Sequence, residues 1–277
     1  MLTWEEAVQW LRDRPEQSEL VKHCYYDDPL ETAAERFFHS EEWAEVISLI
    51  KRKSFGQVLD IGAGRGISSY AFAKSGYTVT ALEPNSSQLV GAGAIHDLAK
   101  NLKLPITVVQ EWGEKLPFPD NTFDIVYGRA VLHHAYDLNQ LCKEAARVLK
   151  PNGYLIATRE HIISHKEDLQ AFLDSHPLHH LYGGENAYLL EEYILAISSA
   201  GLKINQTLAP LESAINCAPM TRSEFQQLIK PVLIRRLGET LGSKLSNIKI
   251  LQDLYLWYLS QKLNSPGRLY SFLAIKP

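Results

Sequence analysis

Apolar and polar positions change period several times along the chain. From residue 57 onward, short apolar runs such as Val58-Leu59-Asp60-Ile61 alternate with stretches whose apolar residues recur every three or four positions. A short apolar run bounded by turn residues reads as a buried strand, and the longer period as a helix packed on one face. The pattern predicts strands near 57–61, 77–82, 105–110, 123–127 and 153–158, with helices near 66–75, 86–101 and 137–149. Lys150-Pro151-Asn152-Gly153 reads as a tight turn before the fifth strand. Strands alternating with helices imply parallel strands and right-handed crossovers, an α/β doubly wound sheet.

The flanks follow other patterns. Thr3 with Glu6 predicts a capped amphipathic helix over 3–13. Residues 29–52 read as helical, with Ala33, Ala34, Phe37 and Phe38 on one side and Trp43, Val46 and Ile47 continuing it. His23 to Pro29 reads as a loop or helix end. Beyond Glu160, residues 161–187 are expected to be irregular with one short helix, 188–200 a helix and 202–210 a sixth strand. Residues 221–262 read as leucine-rich helix broken at Pro231, and Arg268–Lys276 as the last strand. The series Leu233, Leu237, Leu241, Leu245 and Ile248 reads as the apolar face of inserted helices or as a homodimer surface. The organisation expected is a helical cap over 1–50 and a sheet domain over 51–277, with inserted cap segments near 161–187 and 211–266.

Composition narrows the partners. A chain of 277 residues with 45% hydrophobic content holds one large domain or two small ones. Net charge is −4 with acids and bases interspersed, which argues against a nucleic-acid partner. Cys24, Cys142 and Cys217 lie far apart and without metal spacing, so reduced thiols and a cytoplasmic location are expected. The first twenty residues carry Glu5, Glu6, Asp13 and Glu16 without an apolar core, unlike a signal peptide. No apolar run approaches the roughly 18 residues of a membrane span, so no integral membrane association is expected.

The chemistry concentrates between residues 55 and 85. Gly62-Ala63-Gly64-Arg65-Gly66 follows the first strand, and the second strand stops at Glu83. Glycines let a ligand approach the backbone, the following helix offers unpaired N–H groups, and an acid at the next strand end suits a ribose diol. The dinucleotide pattern is G-x-G-x-x-G, but here the third glycine comes one residue early. Asp60, inside the strand, would repel a pyrophosphate and suits a cation. These residues resemble the class I S-adenosylmethionine-dependent methyltransferases. VLDIGAGRG is similar to their first motif and LEPN to their acidic second. Leu116 to His134 is similar to their third and fourth, and Arg147 to Glu160 to their fifth-strand segment.

The resemblance implies a seven-stranded, mostly parallel Rossmann-like sheet whose last strand is antiparallel between strands five and six. It also implies S-adenosyl-L-methionine as cofactor. Gly62, Ala63, Gly64 and Gly66 would pack on the cofactor, Asp60 would hold its amino group and Glu83 its ribose hydroxyls. Pro84 would lie near adenine. At the adenine end the family often has an acid and a small residue; here Trp112 and Gly113 stand there, for stacking and a backbone N–H. Arg129 suits the cofactor carboxylate or a substrate anion, or alternatively a salt bridge to Asp60 or Glu83. His133 and His134 after strand four, and Glu160 and His161 after strand five, lie where ligands bind in open α/β sheets. They are the candidate general bases and orienting groups. His176, His179, His180, Tyr182 and Glu185 match no closed zinc spacing and read as a polar lid loop, so no metal is assigned. Tyr25 and Tyr26 are candidate pocket-closing residues. The expected activity is methyl transfer to an oxygen of a small or medium molecule. The alternatives are an NAD-dependent oxidoreductase, disfavoured by the glycine spacing and Asp60, and a non-catalytic cofactor-binding protein.

Overall fold

Among the described residues, eight strands alternate with helices over most of the length. A computed structural model describes residues 1–50, 56–217, 220–245 and 248–277. The expected domain start at residue 51, and residues 218, 219, 246 and 247 of the expected cap, lie outside the described residues. The strands are β1 (Gln57–Ile61), β2 (Thr78–Leu82), β3 (Ile106–Val109), β4 (Phe123–Arg129), β5 (Leu149–Ile163), β6 (Tyr188–Leu189), β7 (Lys203–Leu208) and β8 (Arg268–Ile275). Their order is β3-β2-β1-β4-β5-β8-β7, with the two-residue β6 against β5. β8 runs antiparallel to both neighbours, as the resemblance implies. The order reverses between β1 and β4, which opens a ligand cleft at their carboxyl ends.

Helices cover both faces. The N-terminal ones are α1 (Trp4–Arg12), α2 (Ser18–His23), α3 (Leu30–Phe38) and α4 (Glu41–Leu49). The crossovers are α5 (Ile67–Lys74), α6 (Ala92–Leu102) and α7 (Leu138–Val148). Then come α8 (Asp168–Ser175), α9 (His179–Tyr182), α10 (Leu190–Ser199), α11 (Arg222–Leu237), α12 (Glu239–Leu245) and α13 (Lys249–Lys262). Alternation along β1 divides the core. Leu59 and Ile61 pack with Leu141 and Ala145 of α7 and Tyr193 of α10. Val58 packs on the other face with Phe72 of α5, Phe37 of α3, and Trp43 and Val46 of α4. The N-terminal helices therefore complete the same core as the sheet. Trp43 meets Phe72 edge-on at 4.7 Å between ring centres, a geometry that ring quadrupoles favour.

Several expected elements are corrected. The single helix over 29–52 is two, because Ser40 accepts the Trp43 N–H and starts α4. The helix expected from 86 begins at Ala92. Asn85 Oδ1 accepts the Ser87 N–H, and Ser87 Oγ accepts those of Leu89 and Val90, which holds residues 85–90 as turns. β5 runs beyond 158 because β8 pairs with it on both sides of an irregularity between Ala157 and Glu160. Residues 161–187 hold two helices rather than one. α11 continues through Pro231 and ends before Gly238, whose φ is 80°. Ile229 and Leu233 flank that proline and pack with Leu256, which outweighs the lost backbone bond. Leu233 faces this small cluster, but Leu237, Leu241 and Ile248 are exposed. Among the described residues no helix is long and apolar enough to cross a membrane.

Candidate active site

The glycine loop leaves β1 with three residues in the left-handed region, Gly62 (φ 60°), Gly64 (φ 54°) and Gly66 (φ 84°). Their surroundings differ. A Cβ on Gly62 would stand 2.8 Å from Val131 Cγ2, so glycine there is a packing need. A Cβ on Gly64 would meet nothing within 4 Å, so glycine there leaves open space in the loop. Ala63 is buried, and its N–H donates to the Leu82 carbonyl, which fixes the loop to β2.

Two acids bracket this loop. Asp60 is 1% exposed; its Oδ2 accepts from Ser68 Oγ at 2.7 Å and Ser69 Oγ at 2.6 Å. Its Oδ1 is buried without a partner among the described residues. Burial pushes the Asp60 carboxyl up to about 6, against the pull of the two serines. Glu83 accepts the N–H groups of Gly64 at 2.8 Å and Asn85 at 2.9 Å, one on each oxygen. Burial raises its carboxyl as well. A carboxylate has about four acceptor positions, so two remain for hydroxyls. An orphaned buried acid oxygen, an open glycine and a half-used carboxylate fit a ligand carrying a cation and a ribose diol.

At the expected adenine end, Trp112 is 67% exposed. Gly113 lies against Leu141 and Ile61, where a Cβ would stand 3.0 Å from Leu141 Cδ1. Glu111 accepts the Trp112 N–H and Glu114 that of Tyr136. Pro84 is half-buried between Glu83 and Asn85.

Arg129 has a partner that sequence did not suggest. It binds Glu42 of α4 in a fork, Nε to Oε1 at 2.7 Å and Nη2 to Oε2 at 3.0 Å, in place of the expected Asp60 or Glu83. The N-terminal helices bring Glu42 over the end of β4, and nothing in its spacing announces that. Arg159 Nη1 stands 3.8 Å from the same Glu42. The Arg159 backbone is left-handed (φ 62°), and its buried Nε has no partner among the described residues. Burial opposes ionisation of Glu42, yet the two guanidiniums hold it below the usual carboxylate range. Two cations around one anion leave a buried excess of positive charge. Arg65, inside the glycine motif, donates to Tyr25 O, Asp27 O and Asp28 Oδ1, so the segment before α3 is stapled to the loop. Sequence reasoning missed Glu42, Arg65, Arg159 and the serine pair; only Ser68 and Ser69, in the first turn after the loop, carried a local signal.

The four candidate bases separate. Glu160, expected at the cleft mouth, points inward and is 0% exposed, because the left-handed Arg159 turns the strand. It accepts the N–H groups of Val131, Leu132 and His133 and contacts His133 Nδ1 at 2.8 Å. Burial holds His133 well below its ordinary value and His161 at about 3, unsuited to accepting a proton at neutral pH. His134 is half-exposed; its Nδ1 donates to the Gly184 carbonyl at 3.0 Å, which leaves Nε2 with the lone pair. A cleft of about 730 Å³ lies there, lined by His133, His134, Tyr136, Gly184, Asn186 and Tyr188 among others. It includes Trp112 but none of the loop glycines or Glu83. Tyr26 packs with Trp4, away from this cleft, and Tyr25 lies against Phe37 and Arg129.

Residues 59–157 match the family model of a methyltransferase domain. The chain is 30% identical over 128 residues to the uncharacterized methyltransferase YcgJ of Bacillus subtilis (strain 168), covering 42% of this chain and 46% of that protein. It is 28% identical over 189 residues to the 27-O-demethylrifamycin SV methyltransferase of Amycolatopsis mediterranei (strain S699), covering 67% of each. Across the first curated relatives, the matched part spans from 26% to 67% of their length. Among solved structures, the geranyl diphosphate C-methyltransferase of Streptomyces coelicolor A3(2) superposes with a TM-score of 0.59 at 14% identity, covering 92% of this chain and 84% of that one. That likeness carries the fold.

Proposed function

We propose, from the premise that residues 59–157 give this chain a class I S-adenosylmethionine-dependent methyltransferase domain, that it moves a methyl group to an oxygen of a small or medium molecule. The observation that carries the reading is the buried Asp60 oxygen without a partner, in the strand that leads into an open glycine loop. Asp60 would take the cofactor's ammonium. Glu83 would take the ribose hydroxyls, and Gly62, Ala63, Gly64 and Gly66 would bring backbone against it. Pro84, Trp112 and Gly113 would border the adenine. The excess positive charge of Arg129, Glu42 and Arg159 suits the cofactor carboxylate. When bound, S-adenosylmethionine supplies a methyl carbon on a sulfonium leaving group. The residues then align an acceptor, exclude water and, for a hydroxyl, remove its proton.

His134 takes that last role, supported by its Nε2 lone pair beside the cleft. A relative named for a 27-O-demethylated substrate supports oxygen as acceptor. The exposed apolar residues of α11 to α13 form the surface we assign to a homodimer. Three free cysteines support a cytoplasmic location, and the net charge of −4 supports a partner other than nucleic acid.

Calorimetry with S-adenosylhomocysteine, and NADH as comparison, tests the cofactor. Binding of the first and not the second is expected. Glu83→Ala should weaken it about 100-fold or more, the worth of two hydrogen bonds to a charged group. Preference for NADH, or an unchanged affinity in the variant, would overturn the assignment.

A further inference from the structure

The lid loop after α9 carries Glu185 into the middle of four histidines that come from three different parts of the chain. Its side chain is 5% exposed. Oε2 stands 3.8 Å from His133 Nε2 and 4.0 Å from His134 Nε2, and Oε1 stands 3.8 Å from His176 Nδ1. These separations exceed a hydrogen bond. Among the described residues the carboxylate accepts one hydrogen bond, from the Tyr182 hydroxyl to Oε1 at 2.5 Å. One ligand atom from each of His161, His176 and Glu185 lies within 4.8 Å of the others, and the same holds for His133, His134 and Glu185. Two ligands of one tetrahedral ion, each at 2.0–2.1 Å from it, stand about 3.4 Å apart. The three separations from Glu185 are 0.4–0.6 Å wider than that, and the 4.8 Å limit on each trio leaves at most 1.4 Å to close on binding an ion.

The outer contacts are those that metal-bound imidazoles show. His161 Nδ1 donates to the Gly267 carbonyl at 2.8 Å, so its Nε2 carries the lone pair. His133 Nδ1 meets Glu160 Oε2, and that carboxylate is itself fixed by three backbone N–H groups. A carbonyl or carboxylate on the far ring nitrogen sets the tautomer and the ring orientation of a ligand. His176 Nδ1 is buried with no hydrogen-bond partner among the described residues. An imidazole set with one carboxylate suits a first-row transition ion rather than calcium or magnesium.

We propose that His161, His176 and Glu185, with His133 alongside, bind one divalent first-row transition ion. His134 stays at the open edge, where the cleft begins. The ion would lie beside the cleft and hold an oxygen of whatever occupies it. That use rests on the methyl-transfer reading; the binding itself does not.

The test uses the full chain, tag-free and stripped with chelator, titrated with Co²⁺ and followed by its visible absorption. One equivalent is expected, displaced by Zn²⁺, which binds such sites more tightly. Glu185→Ala and His161→Ala should each weaken Co²⁺ more than 100-fold, and Glu160→Gln about 10- to 100-fold as the outer partner of a ligand. His180→Ala is the control, since that ring faces the Asp174 carbonyl. Circular dichroism and thermal unfolding of each metal-free variant keep loss of fold apart from loss of ligand. Less than a tenth of an equivalent in the wild type, or unchanged affinity in a folded Glu185→Ala, would overturn the proposal. Both readouts are independent of cofactor and activity, so the methyl-transfer reading stands or falls separately.

Discussion

Replacing Asp60 by Asn separates two consequences of one buried carboxyl. Burial raises its folded pKa from 3.8 to about 6, and Ser69 and Ser68 only partly offset that. A group whose folded pKa is raised contributes stability that is complete below its unfolded pKa and is lost as pH rises through the folded value. The shift of about 2 units is worth ~3 kcal/mol, and the side chain is too buried for solvent screening to reduce it much. The wild type should therefore lose ~3 kcal/mol between about pH 4 and pH 7 that Asp60→Asn does not lose. Urea unfolding at pH 4, 6 and 8 measures this directly. The two proteins should be close in stability at pH 4, and the variant should be the more stable at pH 8. Cofactor binding should move the other way, because Asn cannot offer charge to an ammonium. S-adenosylhomocysteine should bind the variant about 10- to 100-fold more weakly, the cost of one charge-assisted hydrogen bond. A stability difference that stays flat with pH would refute the burial argument. Unchanged affinity would refute Asp60 as the ammonium's partner.

Three further outcomes follow from the same geometry. Glu42→Gln removes the anion between Arg129 and Arg159 and should cost about 3–5 kcal/mol in unfolding free energy; an unchanged melting temperature would mean that the guanidiniums find water. His134→Ala should lower turnover about 100- to 10,000-fold, as expected for a lost general base, while S-adenosylhomocysteine binds normally. Equal turnover would remove His134 from the mechanism. Light scattering should give twice the 31.3 kDa chain mass, and Ile250→Glu with Trp257→Glu, both on the exposed face of α13, should return it to 31.3 kDa. A wild type that elutes as a monomer would refute the dimer surface.

The strands, the glycine loop and Glu83 were legible because their signals are local. Apolar runs, glycine spacing and an acid at a strand end all fall within about thirty residues of each other. The reversal of β8 was legible only through resemblance, since periodicity carries no direction. What was lost is what depends on contacts between distant segments. Glu42 looks like one of several acids at a helix start, yet it neutralises an arginine 87 positions away. Glu160 carries no mark that Arg159 will turn it inward. His133, His161, His176 and Glu185 have no common spacing, so nothing in the sequence announces that they meet.

The two halves of the proposed site, the glycine-loop side and the histidine-lined cleft, thus follow different logics. On the proposed cofactor side, Asp60 to Gly66 and Glu83 lie in one short stretch of sequence, where backbone geometry would do much of the binding. The other half is assembled from the β4 end, the turned end of β5 and the lid loop, each contributing one or two side chains. A site built that way changes its acceptor by changing single residues on separate segments while the sheet and the glycine loop stay fixed. Loop variation on a rigid scaffold is the usual source of differing function on one fold.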